Sequence, residues 1–286
     1  LPRERFDVSP QEIIAENFAP VRWFTWPRSS IRIVDWNIDR GLQLPAIIEF
    51  LAEANADIVL LQEVDLNAHR THRLNIAREI AQKLRLNYVF AREFVELTQG
   101  SKANPAWHGQ ATLSQRKISN PRVIRFQRQS NFWKPHWFLP NLEPFQERLG
   151  GRIALAAEIE IAGASIVAYN LHLESRANDE LRLSQLEEVL RDAAAYNADR
   201  PIILSGDLNL DALKIGVTEV LARTGFRDAA PTARVATTPP RHWLEDGRHI
   251  DWAFVRGPVK IDKSRVHNYV KASDHYPISF DLRSSG

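Results

Sequence analysis

At 286 residues, 44% hydrophobic and 25% charged, the chain is long enough to bury a substantial core and has the make-up of an ordinary globular protein. The absence of cysteine excludes disulfides, thiolate metal sites and a cysteine nucleophile. Formal charge is only +2, yet 29 of the 37 basic residues are arginine. Planar guanidinium forks suit phosphate, so this bias favours an anionic substrate, with genome base content as the competing explanation. The first residues, Leu1-Pro2-Arg3-Glu4-Arg5, are charged, so no signal peptide is visible, and no apolar run reaches the length of a membrane span. These favour a cytoplasmic location. The lack of an initial Met points to a trimmed chain and leaves a removed leader open.

Residues 1–30 read as an N-terminal arm with a short helical pattern at Pro10–Phe18, followed by 31–286 as one catalytic domain. A strand pattern at Ile31–Trp36 ends in Asn37-Ile38-Asp39-Arg40-Gly41. Leu44, Ile47, Ile48, Leu51 and Ala52 then follow at helical spacing. The buried-type strand Asp57–Gln62 ends at Glu63, an amphipathic helix covers Leu74–Leu86, and Tyr88-Val89-Phe90 is extended. Short strands are expected at Ala111–Ser114 and Val123–Phe126, and two longer ones, Arg152–Ile161 and Ala164–Leu173, are joined by a turn at Gly163. The second leaves the core at His172-Leu173-Glu174-Ser175. A helix over Asn178–Tyr196 leads to the strand Pro201–Leu204 and then Ser205-Gly206-Asp207-Leu208-Asn209. A helix near Leu213–Thr224, a Pro-rich loop at 231–240, and strands at Ile250–Val255, Arg265–Val270 and Ile278–Leu282 complete the chain. Strands outnumber helices, and turn signals separate antiparallel-looking pairs, which predicts a mixed α/β fold of two packed sheets with helices outside.

Polar residues recur where the apolar strands end: Asn37 and Asp39, Glu63, His172, Asp207 and Asn209, Asp251, and Asp274-His275. Each alone has an ordinary structural explanation, because Asn and Asp are turn residues and most single histidines are satisfied structurally. Ends of strands on one rim of a sandwich converge, however, and sites are built there. Alternation along an extended chain turns Asp207 and Asn209 the same way, and Gly206, without a Cβ, admits close approach by a backbone or a ligand. The inventory is hard oxygen donors and histidine, which favours Mg²⁺ or Mn²⁺ over zinc. His275, oriented by Asp251, could stabilise charge growing on a phosphoryl oxygen.

The ordered series Trp36-Asn37-Ile38-Asp39, Leu61-Gln62-Glu63, Leu171-His172-Leu173, Ser205-Gly206-Asp207-Leu208-Asn209, Ile250-Asp251 and Ser273-Asp274-His275 resembles the endonuclease/exonuclease/phosphatase superfamily across about residues 31–282. The resemblance implies a four-layer αββα sandwich of two mainly antiparallel sheets and metal-dependent phosphoester hydrolysis. By position it implies Glu63 as principal metal ligand, with Asn37, Asp39 and Asp274 supporting the ion or its waters. Asp207 would position or deprotonate the attacking water, Asn209 would hold that water or the phosphate, and His172 would contact the phosphate. His275, oriented by Asp251, would stabilise the transition state.

Asp39 and the His172–Ser175 segment resemble the abasic-site endonuclease and 5′-tyrosyl-DNA phosphodiesterase branches, which implies a nuclease or phosphodiesterase acting on DNA or DNA ends. Seven basic residues interleaved with aromatics lie between Leu97 and Leu142, a stretch without Asp or Glu. Such a region forms either a nucleic-acid surface or a solvated face over core aromatics. Candidate substrate contacts are Arg70 and Arg73, in His69-Arg70-Thr71-His72-Arg73, and the loop aromatics Trp133 and Trp137. The same Trp/Phe loop could instead dock on anionic lipid, as in a sphingomyelinase-like enzyme. A small-molecule phosphoesterase, acting on inositol or sugar phosphates, is a further alternative, as is an inactive binding module that keeps the fold, against which the full polar set argues. No protein partner is indicated.

Overall fold

The computed structural model describes residues 13–20, 30–135, 147–161, 164–211, 213, 216–229, 235–240, 242 and 246–284. Among these residues the first sheet is built from β1 (Ile13–Asn17), β2 (Ile31–Arg40), β3 (Ile58–Leu66), β4 (Asn87–Glu96) and β5 (Ala106–Ser114). The second begins with β6 (Ile118–Arg125), and β7 (Arg148–Gly150) returns to pair with β4 of the first. The second continues with β8 (Ile153–Ile161), β9 (Ala164–His172), β10 (Ile202–Asp207), β11 (Arg227–Asp228) and β12 (Asp251–Arg256). The chain closes with β13 (Val259–Val266) and β14 (Ile278–Ser284), both in the first sheet. Strand order is β1-β4-β5-β3-β2-β14-β13 in the first and β11-β12-β10-β9-β8-β6 in the second.

Helices α1 (Leu44–Ala54) and α2 (Ile76–Leu84) cover the outer face of the first sheet, and α3 (Asp179–Ala193) and α4 (Val217–Arg223) that of the second. The side chains sort accordingly. Val34, Trp36, Val59 and Leu61 pack with Ile47, Leu51, Ile76 and Ile80, while Tyr169, Leu204 and Phe254 pack with Leu186, Val189 and Leu221. Between the sheets lie Ile33, Ile58, Leu60, Ala168, Ile203 and Val255. This is the αββα sandwich. Asn75 and Asn178 start α2 and α3, each accepting a bond from the backbone three residues on.

Two expectations need correction. Pro10–Phe18 does not form a helix over its described part: Ile13–Asn17 is a strand paired antiparallel with β4. Neighbouring Ile13 and Ile14 pack on opposite sides of the sheet, which only an extended chain allows. The strand expected at Arg265–Val270 ends at Val266 and begins earlier, at Val259. The turn at Gly163 lies outside the described residues.

Pairing direction explains how the polar ends meet. Only β2–β3 and β9–β10 run parallel among the described pairs, and each parallel pair delivers two C-terminal ends to one edge. Asp207 therefore stands beside His172, and Asn37 beside Gln62. Asp251 is not a strand exit but opens β12, and antiparallel pairing brings that start level with Asp207. Gly206 is required by backbone rather than ligand. At φ +150° a Cβ there would lie 1.9 Å from the Leu171 carbonyl oxygen of β9. Gly206→Ala should force β9 and β10 apart and cost about 3 kcal/mol, measured as a lower midpoint in urea unfolding; an unchanged midpoint would contradict this role.

Candidate active site

The inner faces change character along the sandwich. Beyond the apolar layer comes a buried polar one, in which Gln62 Nε2 donates to Asp35 Oδ1 at 2.9 Å and to Asn170 Oδ1 at 2.8 Å, one from each sheet. Asn170 Nδ2 in turn donates to the carbonyls of Leu61 and Ala111, both at 3.0 Å. Burial, with Asp251 nearby, pushes the Asp35 carboxyl well above the ordinary range. This layer ties the sheets together directly beneath the rim.

At the rim Asp207 is the common neighbour. Asn37 Nδ2 donates to its Oδ2 at 3.2 Å, while His172 Nε2 and His275 Nε2 lie 3.7 and 3.8 Å from the same oxygen. Its other oxygen accepts the Asn209 backbone N–H at 2.9 Å. Asn209 Nδ2 donates to the Leu173 carbonyl at 3.1 Å, so its amide is anchored as well as near Asp207. Burial raises the Asp207 pKa and Asp251 adds to this, against the opposing effect of His275 and His172. His275 Nδ1 sits 2.9 Å from both oxygens of Asp251. Burial alone would lower its pKa, but Asp251 and then Asp207 push it up to about 10, so His275 is an imidazolium at neutral pH.

The dyad is held by its surroundings. Trp36 Nε1 donates to the His275 carbonyl at 2.9 Å, and Ser273 Oγ links the ends of β2 and this loop by donating to the Asn37 carbonyl at 2.7 Å. Buried Thr237 accepts the Ile250 and Asp251 backbone N–H groups at 3.1 Å and takes the Tyr276 N–H on its own carbonyl. Thr237 lies in the Pro-rich stretch 231–240.

Glu63 faces this centre, its Oε1 4.0 Å from His172 Nε2. Burial opposes its charge, but His108, then Arg40, His172 and Arg152, hold the carboxylate well below the ordinary range. Asp39 goes the other way. Burial raises its pKa and repulsion by Asp274 and Glu63 adds to that, while its neighbour Arg40, hydrogen-bonded to it, pulls the other way. Asp274 is exposed. Mutually repelling oxygen donors of this kind, one kept ionised, fit a hard divalent cation. Asp39, Glu63 and Asn209 all sit in the left-handed backbone region, at φ 42°, 51° and 54°. Pairing shifts register at Asn37/Arg40 in β2–β3 and at Leu61/Val64 in β3–β5, so bulges aim Asp39 and Glu63 out of the simple alternation.

Two other acid–histidine groupings are less suited to a metal. Asp207, Asp251 and His275 lie close enough, but a cationic His275 offers no lone pair. Asp65, Glu96 and His108 are already matched by two arginines: Arg70 grips both oxygens of Asp65 at 2.7 and 2.8 Å and Glu96 at 3.0 Å, and Arg148 lies 2.8 Å from Glu96. Arg70, expected at the substrate, is engaged in these ion pairs, which tie the loop after β3 to β3 and β4. Arg73 remains exposed there, in a left-handed conformation. Trp133 donates its indole N–H to buried Glu174 at 2.7 Å and lies under the Arg148 and Arg152 guanidiniums, so it braces the rim, while the ring exposed to solvent is Phe132. Trp137 lies outside the described residues. In the acid-free region, Lys117, Arg122 and Arg128 pair with Glu160, Asp192 and Glu180 of other elements, and Phe126 is core. No site role was assigned from sequence to Arg40, Glu93, Arg152 or Glu174; of these, Arg40 and Glu174 had a local signal, standing in the strand-end stretches that carry Asp39 and His172.

The sequence profile of the Endonuclease/Exonuclease/phosphatase family matches residues 36–275. No curated protein matches by sequence. Among solved structures, an endonuclease/exonuclease/phosphatase from Beutenbergia cavernae superposes with TM-score 0.67 at 18% identity, covering 91% of this chain and 72% of that one. A humanized D. rerio TDP2 gives 0.61 at 19% identity, with 90% and 100% covered. The human nocturnin catalytic domain, solved with a bound sulfate anion, gives 0.61 at 18%, with 90% and 95% covered.

Because the folded pKa of His275 lies above its ordinary 6.5, its pairing stabilises the fold fully below about pH 6.5 and loses that effect as pH rises through about 10. Ring NMR should show His275 still protonated at about pH 9, and Asp251→Asn should bring its titration down towards about 6.5. Ordinary titration in the unmodified protein would refute the dyad.

Proposed function

The chain belongs to the endonuclease/exonuclease/phosphatase family, and from that premise we propose that it is a divalent-metal-dependent phosphodiesterase acting on nucleic acid, with DNA or DNA ends as the favoured substrate. The observation that carries this reading is the convergence of Asn37, His172 and His275 on one oxygen of Asp207, beside an ionised Glu63. A carboxylate ringed by donors can hold a water, and its raised pKa suits it to take that water's proton.

Glu63, Asp39, Asn37 and Asp274 would hold Mg²⁺ or Mn²⁺, which supplies charge to polarise the phosphoryl group. Asp207 orients and deprotonates the attacking water. Asn209, anchored on Leu173, keeps the Asp207 carboxylate in register through its backbone N–H. The His275 imidazolium, backed by Asp251, faces the charge that builds on the phosphoryl oxygens, and His172 contacts the same group from the opposite side. The resemblance of Asp39 and His172–Ser175 to the DNA-end branches supports the choice of substrate, as does the likeness in fold to TDP2.

A second reading draws on the ion pairing of Lys117, Arg122 and Arg128, which leaves the acid-free region with fewer cations for a long nucleic-acid backbone. On that reading the substrate is a lipid or small-molecule phosphoester. Assay of abasic duplex, 5′-tyrosyl DNA, single-stranded DNA and RNA, sphingomyelin and inositol phosphates with Mn²⁺ separates the two. Turnover of the nucleic acids supports the first; turnover only of the last two substrates overturns it. Asp207→Asn and His275→Ala should each lower turnover on the order of 10²–10³-fold with thermal unfolding of the fold retained, and saturating chelator should abolish activity. Wild-type rates in either variant, or survival in chelator, would refute the mechanism.

A further inference from the structure

Behind His172, on the side away from Asp207, lies a buried pair to which the mechanism above gives no part. Arg152 Nη1 donates to Glu93 Oε2 at 2.7 Å and stands 2.9 Å from His172 Nδ1. Both residues are almost wholly buried. Arg152 is fixed from several directions: Nη2 donates to Ser175 Oγ at 3.2 Å, its backbone N–H donates to Gln129 Oε1 at 2.9 Å, and its guanidinium lies over Phe94 and Trp133. Glu93 Oε1 is also near the ring, 3.3 Å from Nδ1.

The two neighbours make opposite demands on one atom. A guanidinium has only hydrogens to offer and keeps them at any ordinary pH, so it requires a lone pair on Nδ1; a carboxylate requires a hydrogen there. The arginine contact is the shorter. Glu93 is supplied without the ring, because Oε2 accepts from Arg152 and Oε1 accepts from Gln110 Nε2 at 3.1 Å. At the other end, His172 Nε2 is buried without a hydrogen-bond partner among the described residues, 3.7 Å from Asp207 Oδ2 and 4.0 Å from Glu63 Oε1.

We infer that Arg152 is a positioning residue that holds His172 in the tautomer with its proton on Nε2, so that the ring presents a donor to the gap between Asp207 and Glu63. A ring nitrogen's state is set by the bond the other nitrogen makes. Here that bond comes from a cation, Arg152. His172 and His275 then differ in kind: His275 has a carboxylate behind its ring, whereas His172 has an arginine. The use of this donor on a phosphoryl oxygen rests on the phosphoesterase reading; the tautomer does not.

Long-range ¹H–¹⁵N correlation spectra of the full metal-free chain, labelled at histidine, test the inference directly. Near neutral pH the His172 ring should show an unprotonated Nδ1 and a protonated Nε2. Glu93→Gln should leave that pattern in place, and Arg152→Lys, which keeps a donor, should preserve it. Arg152→Met should move the proton to Nδ1, facing Glu93, and lower kcat on the order of 10²-fold with little change in KM. A protonated Nδ1 in the unmodified chain overturns the inference even if Arg152→Met fails to fold. So does a folded Arg152→Met with the unmodified pattern. An intact Nε2–H tautomer in a chain that hydrolyses no phosphoester would instead count against the proposed reaction.

Discussion

Charge inside a sandwich of two sheets must be matched where it lies, because water cannot reach it. Here the slot between the sheets is apolar at one end, neutral and hydrogen-bonded through Gln62 and Asn170 in the middle, and ionic at the rim. Several carboxylates at or near the rim are matched by a cation from elsewhere in the chain: Arg152 for Glu93, Arg70 for Asp65, His275 for Asp251. Glu63 stays ionised because His108, Arg40, His172 and Arg152 lie near it, with His172 Nε2 at 4.0 Å, beyond hydrogen-bond distance. That leaves its oxygens for another ligand, which is the property a metal carboxylate needs.

The same matching separates support from chemistry. The Asp65–Glu96–His108 group contains the right donors, yet its two arginines leave it neutral and rigid. Asp207 is treated differently. Asn37 hydrogen-bonds its Oδ2, while His172 and His275 stand beyond hydrogen-bond distance of that same oxygen. Two parallel strand pairs supply this geometry, since each brings two chain ends together without a turn between them.

Much of the fold was legible because local patterns and tertiary demands agree. The periodicity of Leu44–Leu51 and the unbroken apolar run before Glu63 each mark a single solution. Ile13-Ile14 misled, since two adjacent branched residues say nothing about whether the faces they meet belong to a helix or to both sides of a sheet edge. At the site, residues on the chain-end motifs were readable as types with a shared chemistry. The roles of Arg70 and Trp133 were not, because whether a cation or a ring is spent on a buried acid depends on Asp65, Glu96 and Glu174, which only the folded chain brings near. Arg152 stands just before an ordinary strand, β8, twenty positions from His172, and nothing local marks it.

Left-handed backbone at Asp39, Glu63 and Asn209 carries a consequence for any attempt to make this protein more robust. Those conformations cost a side-chain-bearing residue free energy that glycine would not incur, on the order of 1 kcal/mol each. Glycine at any of them would relax the chain and remove a group from the rim. Selection for thermal tolerance alone would therefore drift towards sturdier proteins with an emptied centre, and a screen that scores survival without scoring turnover would reward them.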